Sequence, residues 1–282
     1  MQIIRSPKVM RNICAGLKRK GRIIGFVPTM GYLHKGHVNL IRIAKKKADV
    51  LVVSIFVNPT QFGPKEDFTK YPRDFKRDGF LLDKEGCNFV FAPRIKEMYP
   101  EGYLTYVNVE KITHKLEGAI RPGHFQGVTT VVAKLFNIVQ PDVAVFGQKD
   151  AQQAVVLKKM VDDLNYGIKL IIAGTVRERD GLALSSRNVY LSEEERKQAK
   201  VLYQALRLAK SMIKKGERSP TKIVSKMNKL IDKQPLADID YVAITDACTL
   251  ELLNKLRGEV LISLAVRVGK TRLIDNIKIR VP

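Results

Sequence analysis

Five apolar runs limit the fold more than any other feature: IIGFV at residues 23–27, VLVVSIFV at 50–57, NFVFAP at 88–93, DVAVF at 142–146 and GIKLIIA at 167–173. A strand with one wet face alternates apolar and polar residues, whereas a parallel strand covered on both faces runs continuously apolar. Helical spacing fills the gaps between the runs. Val9, Met10, Ile13 and Leu17 mark a first helix, with Ser6 as its cap, Pro7 at its first position and Gly21 at its end. Val38, Leu40, Ile41 and Ala44 mark a second, and further helices are expected over 74–84, about 127–139 and 150–164. This alternation predicts a Rossmann-like, doubly wound α/β fold with a parallel sheet, whose ligands sit at the carboxyl ends of the strands.

The texture changes after RERDGLALSSRN. Ser192 followed by Glu193, Glu194 and Glu195 starts a helix expected to reach about residue 215, with its acids in the first turn, where the helix dipole favours them. A second helix is expected over 221–232. Three strand-like segments follow, the last two joined by Gly269-Lys270. Helices followed by antiparallel strands predict a smaller α+β domain. The expected organisation is residues 1–176 for the larger domain and 177–282 for the smaller.

Composition narrows the function classes. No run approaches the ~20 apolar residues of a bilayer span, and the first twenty residues lack the apolar stretch of a secretory signal, so the expectation is a cytoplasmic protein with no membrane partner. Cys14, Cys87 and Cys248 are odd in number and far apart, which predicts buried reduced thiols rather than disulfides or a zinc ribbon. Fifty Lys+Arg against 28 Asp+Glu leave a formal charge of +22. Such an excess invites a nucleic-acid reading, but there is no Trp, aromatic content is 7%, and the charge is spread over both halves. The expectation is therefore a basic surface that attracts small anions, with no nucleic acid as partner.

Four polar loops follow predicted strands. The first holds His34-Lys35-Gly36-His37 at a helix start. Two histidines one turn apart allow three readings. A metal pair lacks further ligands within the loop, simple helix capping accounts for one ring more readily than for two, and a phosphate site uses the glycines, the helix N-terminus and imidazole N–H donors together. The second loop carries Asn58, Pro59 and Gln61, whose amides suit either a ligand or their own turn. A third carries Gly147, Gln148, Lys149 and Asp150, with Gln153 one turn beyond Lys149. The fourth is Leu184-Ser185-Ser186-Arg187, hydroxyls beside a guanidinium. P-loop, GxGxxG and GxSxG motifs are missing, so nucleotide binding would depend on the two-histidine loop.

The segment PTMGYLHKGH resembles the signature of the nucleotidyltransferase superfamily that shares the HIGH motif with class I aminoacyl-tRNA synthetases. With FVNPTQF, EDFTKYPRD, RPGHFQGVTTVVAKLFNIVQPD, FGQKDAQQ and DGLALSSRN, in that order, the chain resembles the pantothenate synthetase family over nearly its whole length. Tyr32 and Lys35 stand where that family varies. The resemblance implies a two-step ligation. Pantoate attacks the α-phosphorus of MgATP to give pantoyl adenylate, and β-alanine then displaces AMP. It implies an ATP site formed by Met30, Gly31, Tyr32, Leu33, His34, Lys35, Gly36 and His37, with Gly147, Gln148, Lys149, Asp150, Val176, Leu184, Ser185, Ser186 and Arg187. His34, His37, Lys149 and Arg187 would act in catalysis, with His37 the proton donor, and Asp150 would meet ribose or orient Lys149. Gln61 and Gln153 would hold pantoate with Asn58 in support, and Gln61 would also meet β-alanine. Mg²⁺ would be held mainly by phosphates, with no dedicated protein metal site. The family further implies a homodimer and a C-terminal domain that closes as a lid. Tyr71, Arg73, Asp78, Arg121 and His124 receive no firm role, and for His124 capping of the next helix is the preferred reading. Two other function classes remain open here: an adenylyl- or cytidylyltransferase that leaves the nucleotide on its product, and a nucleic-acid-binding protein.

Overall fold

Six parallel strands form one sheet in the computed structural model, which describes residues 1–64 and 66–282. They are β1 (Gln2–Ile4), β2 (Ile24–Thr29), β3 (Val50–Ile55), β4 (Phe89–Phe91), β5 (Val143–Gly147) and β6 (Lys169–Ala173), in the order β1-β4-β3-β2-β5-β6. The helices between them are α1 (Pro7–Arg19), α2 (Lys35–Lys45), α3 (Phe75–Lys84), α4 (Ile95–Met98), α5 (Glu117–Ile120), α6 (His124–Val139) and α7 (Ala151–Asp163). The continuous apolar runs bury both sheet faces with a period of two. Ile24, Phe26, Val52, Ala144 and Phe146 pack into one core with Met10, Cys14 and the α6 residues Val128, Val132 and Phe136. Val27, Leu51, Val53, Val143 and Val145 pack into the other with Leu33, Ile41, Ala44 and Leu82.

Each expected strand run is present, and β1 is an addition. Its three residues pair with β4 at the sheet edge and are largely exposed, so they leave no apolar run to read. Helix α6 begins at His124, three residues before the expected position.

A second sheet is antiparallel, with β7 (Ala237–Asp246), β8 (Gly258–Val268) and β9 (Thr271–Val281) in that order. Helices α8 (Glu193–Gln198), α9 (Val201–Lys214) and α10 (Pro220–Ile231) accompany it, and α9 and α10 bury Leu202, Leu206, Ile223 and Met227 against Ile262, Leu264 and Val266. The helix expected from 192 to 215 is thus two. Ser192 and Glu195 close a capping box at the start of α8. At the join Leu202 N–H donates to the Ala199 carbonyl, a three-residue bond that tightens the turn while Ala199 and Lys200 keep right-handed dihedrals.

The chain divides into two units, Met1–Gly147 with Val156–Gly174, and Gln148–Val155 with Thr175–Pro282. The second takes in Gln148–Val155, which the sequence reading assigns to the larger domain. Cys14 and Cys87 are buried thiols, pushed up to about 12 by burial, whereas Cys248 is exposed, contrary to expectation, on the turn after β7. No helix of the described residues is long and apolar enough to cross a membrane.

Candidate active site

The strand order reverses between β2 and β5. From β2 the chain passes through α2 to β3 on one side, while β5 pairs with β2 on the other. At such a switch point the connections diverge and leave a crevice beyond the carboxyl ends. Residues 30–34 leave β2 there.

Thr29, Asp78 and Arg77 shape that loop. Thr29 Oγ1 donates to the Ser54 carbonyl and accepts from Gly31 N–H at 3.1 Å. Gly31 (φ +82°) and Tyr32 (φ +50°) both take left-handed backbone, which for tyrosine needs outside support. The support is Asp78 of α3, buried to 1% exposure, whose two carboxylate oxygens accept from Tyr32 N–H and Leu33 N–H, both at 2.7 Å. Burial raises the Asp78 pKa against those two bonds and nearby Arg77. Arg77 lies over the Tyr32 ring at 5.0 Å and donates to the Leu33 carbonyl. Sequence reasoning named Asp78 without a role, because nothing along the chain signals a buried acid 46 residues from the backbone it holds.

Helix capping engages both histidines. His34 is the N-cap of α2, its Nδ1 accepting from Gly36 N–H at 3.1 Å, and His37 Nδ1 accepts from His34 N–H at 3.2 Å. This is a capping box built from imidazoles. With each Nδ1 an acceptor, the neutral rings carry their protons on Nε2. The rings lie with centroids 4.1 Å apart, tilted 42° to one another. Capping therefore selects the tautomer that offers an N–H donor at the end of each ring, at a helix N-terminus suited to anions.

Gln61 closes the turn Pro59–Gln61. Its side-chain oxygen accepts from Asn58 Nδ2 at 3.1 Å, and its Nε2 donates to Met30 Sδ at 3.3 Å, so the first two polar loops meet. Asn58 is 1% exposed, and its amide is committed to protein partners. It donates also to the Gly127 carbonyl and accepts from Tyr99 and Thr60 hydroxyls. That leaves Asn58 the supporting part, fixing which end of the Gln61 amide is donor. Tyr99 was not anticipated from the sequence.

The backbone of the same turn rests on α6. Gly127 approaches so closely that a Cβ there would lie 2.3 Å from the Thr60 carbonyl oxygen. At the start of α6, His124 Nδ1 lies 2.8 Å from the Gln61 carbonyl oxygen and its Nε2 lies 3.0 Å from Arg121 Nη1. Arg121 grips both oxygens of Glu66 at 2.6 Å. Tyr71 is buried at the edge of the Phe62 ring, and Arg73 donates to the carbonyls of Phe68 and Tyr71.

Burial, and after it the Arg121 charge, lower the His124 pKa from 6.5 to about 4. The unfolded chain thus protonates at this residue before the folded one. The stability due to the neutral ring is complete above pH 6.5 and is lost as pH falls towards 4. At ~1.4 kcal/mol per unit the total is about 3 kcal/mol. Urea unfolding of the protein and of His124→Asn at pH 7 and pH 4 is expected to show their stability difference shifting by about that amount; a constant difference is incompatible with a ring buried neutral.

Apart from Gly147, which ends β5 in the first unit, the other polar loops lie in the second. Gln148–Asp150 form a single tight turn leading into α7, with Gln153 half-buried in its first turn. Asn276 of β9 holds that turn, its Nδ2 donating to the carbonyls of Gln148 and Lys149 at 3.0 and 2.8 Å while its Oδ1 accepts from Gln148 Nε2. Lys149 Nζ lies 3.5 Å from Asp150. Val176 and Leu184 face one another across a small hairpin closed by the Leu184 N–H to Val176 carbonyl bond and the Arg177–Ala183 bridge. Arg177 anchors it through a two-pronged ion pair with Asp275, which is nearly fully buried. At the turn Gly181 has φ +97° and packs on the Tyr203 ring, where a Cβ would come within 2.1 Å. Ser185 then caps the turn Ser186–Tyr190, its Oγ accepting from Arg187 N–H. Among the described residues no three His, Cys, Asp or Glu cluster as a metal site would require.

The family model described as Pantoate-beta-alanine ligase matches residues 2–278. The chain belongs to the pantoate-beta-alanine ligase family. Curated members named pantothenate synthetase include those of Moorella thermoacetica, 57% identical over all of this chain and 99% of that one, and Caldicellulosiruptor bescii, 55% identical over 98% of each. Of solved members, pantothenate synthetase from Thermus thermophilus shares 46% identity with a TM-score of 0.94 over 98% of this chain and 99% of the other. The pantoate-beta-alanine ligase of Francisella tularensis, complexed with Beta-gamma ATP and β-alanine, shares 36% identity with a TM-score of 0.81 over 98% and 97%. The parallel sheet flanked by helices and the smaller antiparallel sheet expected from the sequence are those of this ligase family.

Proposed function

We propose that this pantoate-beta-alanine ligase family member condenses pantoate with β-alanine to pantothenate at the expense of ATP, through pantoyl adenylate. Membership of the family carries the overall reaction, and the imidazole capping box carries its chemistry. MgATP is the substrate that brings the metal. A pantoate carboxylate oxygen bonds to the α-phosphorus as the bond to the bridging oxygen breaks and pyrophosphate departs. The β-alanine amine then bonds to the acyl carbon, AMP leaves with the adenylate oxygen, and the amine gives up a proton. Neither step needs a protein nucleophile; both need reactants aligned and developing charge neutralised.

The residues fit those needs. His34 and His37 direct Nε2–H donors, at a helix N-terminus, to the phosphates, with His37 the donor to the charge that develops as pyrophosphate departs. Lys149, Ser185, Ser186 and Arg187 take the triphosphate, and Gly147, Gln148, Asp150, Val176 and Leu184 border adenosine. Gln61 and Gln153 hydrogen-bond pantoate, and Gln61 also serves β-alanine. A relative bearing Beta-gamma ATP and β-alanine supports the substrate pair. The working form is read as a cytoplasmic homodimer whose second domain, from about residue 177, closes as a lid.

The purified protein is expected to release AMP and pantothenate in equal amounts only when pantoate, ATP, Mg²⁺ and β-alanine are all supplied. A stable nucleotide ester in place of AMP would instead identify a nucleotidyltransferase, and a folded sample forming neither product would refute both.

A further inference from the structure

The pair His124 and Arg121 lies behind Gln61, on the side occupied by α6, and the reaction as described assigns it no part. Both ring nitrogens of His124 have partners whose roles are fixed. The Gln61 carbonyl oxygen, 2.8 Å from Nδ1, can only accept. The Arg121 guanidinium, 3.0 Å from Nε2, can only donate. Only the neutral Nδ1–H tautomer satisfies both, because a proton on Nε2 would face the guanidinium N–H. Arg121 is held in turn by Glu66 at 2.6 Å on two prongs, and it reaches the Gln61 carbonyl itself at 3.3 Å.

We propose that His124 is a positioning residue for the acid substrate: as the Nδ1–H tautomer, kept so by Arg121 and Glu66, it fixes the Gln61 backbone and thereby aims the Gln61 amide. The substrate part of this statement rests on the proposed function. Gln61 is held at four places. Asn58 binds its side-chain oxygen, Met30 Sδ accepts from its side-chain nitrogen, Gly127 lies against its backbone nitrogen, and His124 binds its carbonyl. Of the four, only the His124 contact involves a group with a choice of proton position, and the Glu66–Arg121 pair makes that choice. Burial, with the Arg121 charge, keeps the ring unprotonated at neutral pH. A structural cap would only have to stabilise α6, whose N-cap is Gly123 with no side-chain cap bond; the His124 ring points its donor at the Pro59–Gln61 turn instead.

Two measurements on the full-length protein test this. Nitrogen-15 NMR of the histidine rings, assigned with His124→Asn, is expected to show His124 as the Nδ1–H tautomer, unprotonated at about pH 5.5. An Nε2–H ring, or a ring charged at about pH 6, overturns the proposal whatever the substrate is. Steady-state kinetics of His124→Ala is expected to show KM for pantoate raised at least tenfold with KM for ATP within twofold of the parent. His124→Asn, whose Nδ2–H stands where Nδ1–H did, is expected to restore pantoate KM to within about threefold, and its melting curve reports folding. An unchanged pantoate KM in His124→Ala, equal rises in both KM values, or no rescue by Asn overturns the positioning role. If the parent forms no AMP with pantoate, the proposed function falls and with it the substrate part of this inference, while the NMR result still decides the tautomer.

Discussion

Replacing Lys149 by alanine, or His37 by asparagine, is expected to reduce turnover by at least about 10². On the proposed mechanism each removes one donor from charge that develops on the phosphates, and the loss of one such donor typically costs ~3 kcal/mol of transition-state stabilisation. The structure lets both be removed without dismantling their surroundings. Asn276 grips the Lys149 turn through the carbonyls of Gln148 and Lys149, so the backbone keeps its course when the ammonium is gone. At His37 the capping bond is made by Nδ1. Asparagine can place an oxygen near that point to accept from His34 N–H but has nothing where Nε2–H was. Each variant should therefore melt near the parent while turnover collapses. Single-turnover formation of AMP decides the matter, and parent-like rates in either variant remove that residue from the chemistry.

Gly127→Ala should be damaging for a different reason. Helix propensity alone would favour alanine by about 1 kcal/mol. Against that, the new Cβ would stand 2.3 Å from the Thr60 carbonyl oxygen, 2.5 Å from its carbon and 2.7 Å from Gln61 nitrogen. All three are backbone atoms, so no side chain can swing aside. Either α6 backs away or the turn Pro59–Gln61 moves, and overpacking of this kind costs about 1–3 kcal/mol or more. Moving the turn also breaks the Asn58 bond to the Gly127 carbonyl and misdirects Gln61. The expected result is a net loss of about 2 kcal/mol in unfolding free energy, together with pantoate KM raised at least tenfold. A variant with parent stability and parent KM would show that α6 does not set the turn.

Much of this was legible in the chain because it follows from short-range pattern. The runs at 23–27 and 50–57 identify buried strands, and polar residues directly after such strands fall where a doubly wound sheet binds ligands. His34, His37, Gln61 and Lys149 are visible on those grounds. What pattern does not convey is the partner that holds each of them. Asp78 supports Tyr32 from 46 residues away, Gly127 and His124 support Gln61 from more than sixty, and Asn276 supports Lys149 from 127. Asp275 and Asn276 did leave a trace, a charged and an amide residue amid the apolar segment TRLIDNIKIRV. Both are almost fully buried, and an ionisable group placed there has to be paired. The break between α8 and α9 left no trace, since Ala199 and Lys200 are good helix formers and the change is a single tightened hydrogen bond.

The clamp from Asn276 also bears on when the protein becomes competent during folding. Gln148–Asp150 follow directly on β5, yet the carbonyls of Gln148 and Lys149 accept from Asn276 of β9, 128 and 127 residues later in the chain. The pairing of β5 with β2 and β6 uses nothing beyond Ala173, whereas the anchor of this turn waits on β9. The parallel sheet can therefore assemble around β5 while Lys149 still wanders, and the lysine is set only when β9 docks beside β8. Amide exchange would then group this turn with the antiparallel sheet as one cooperative unit rather than with the strand it extends.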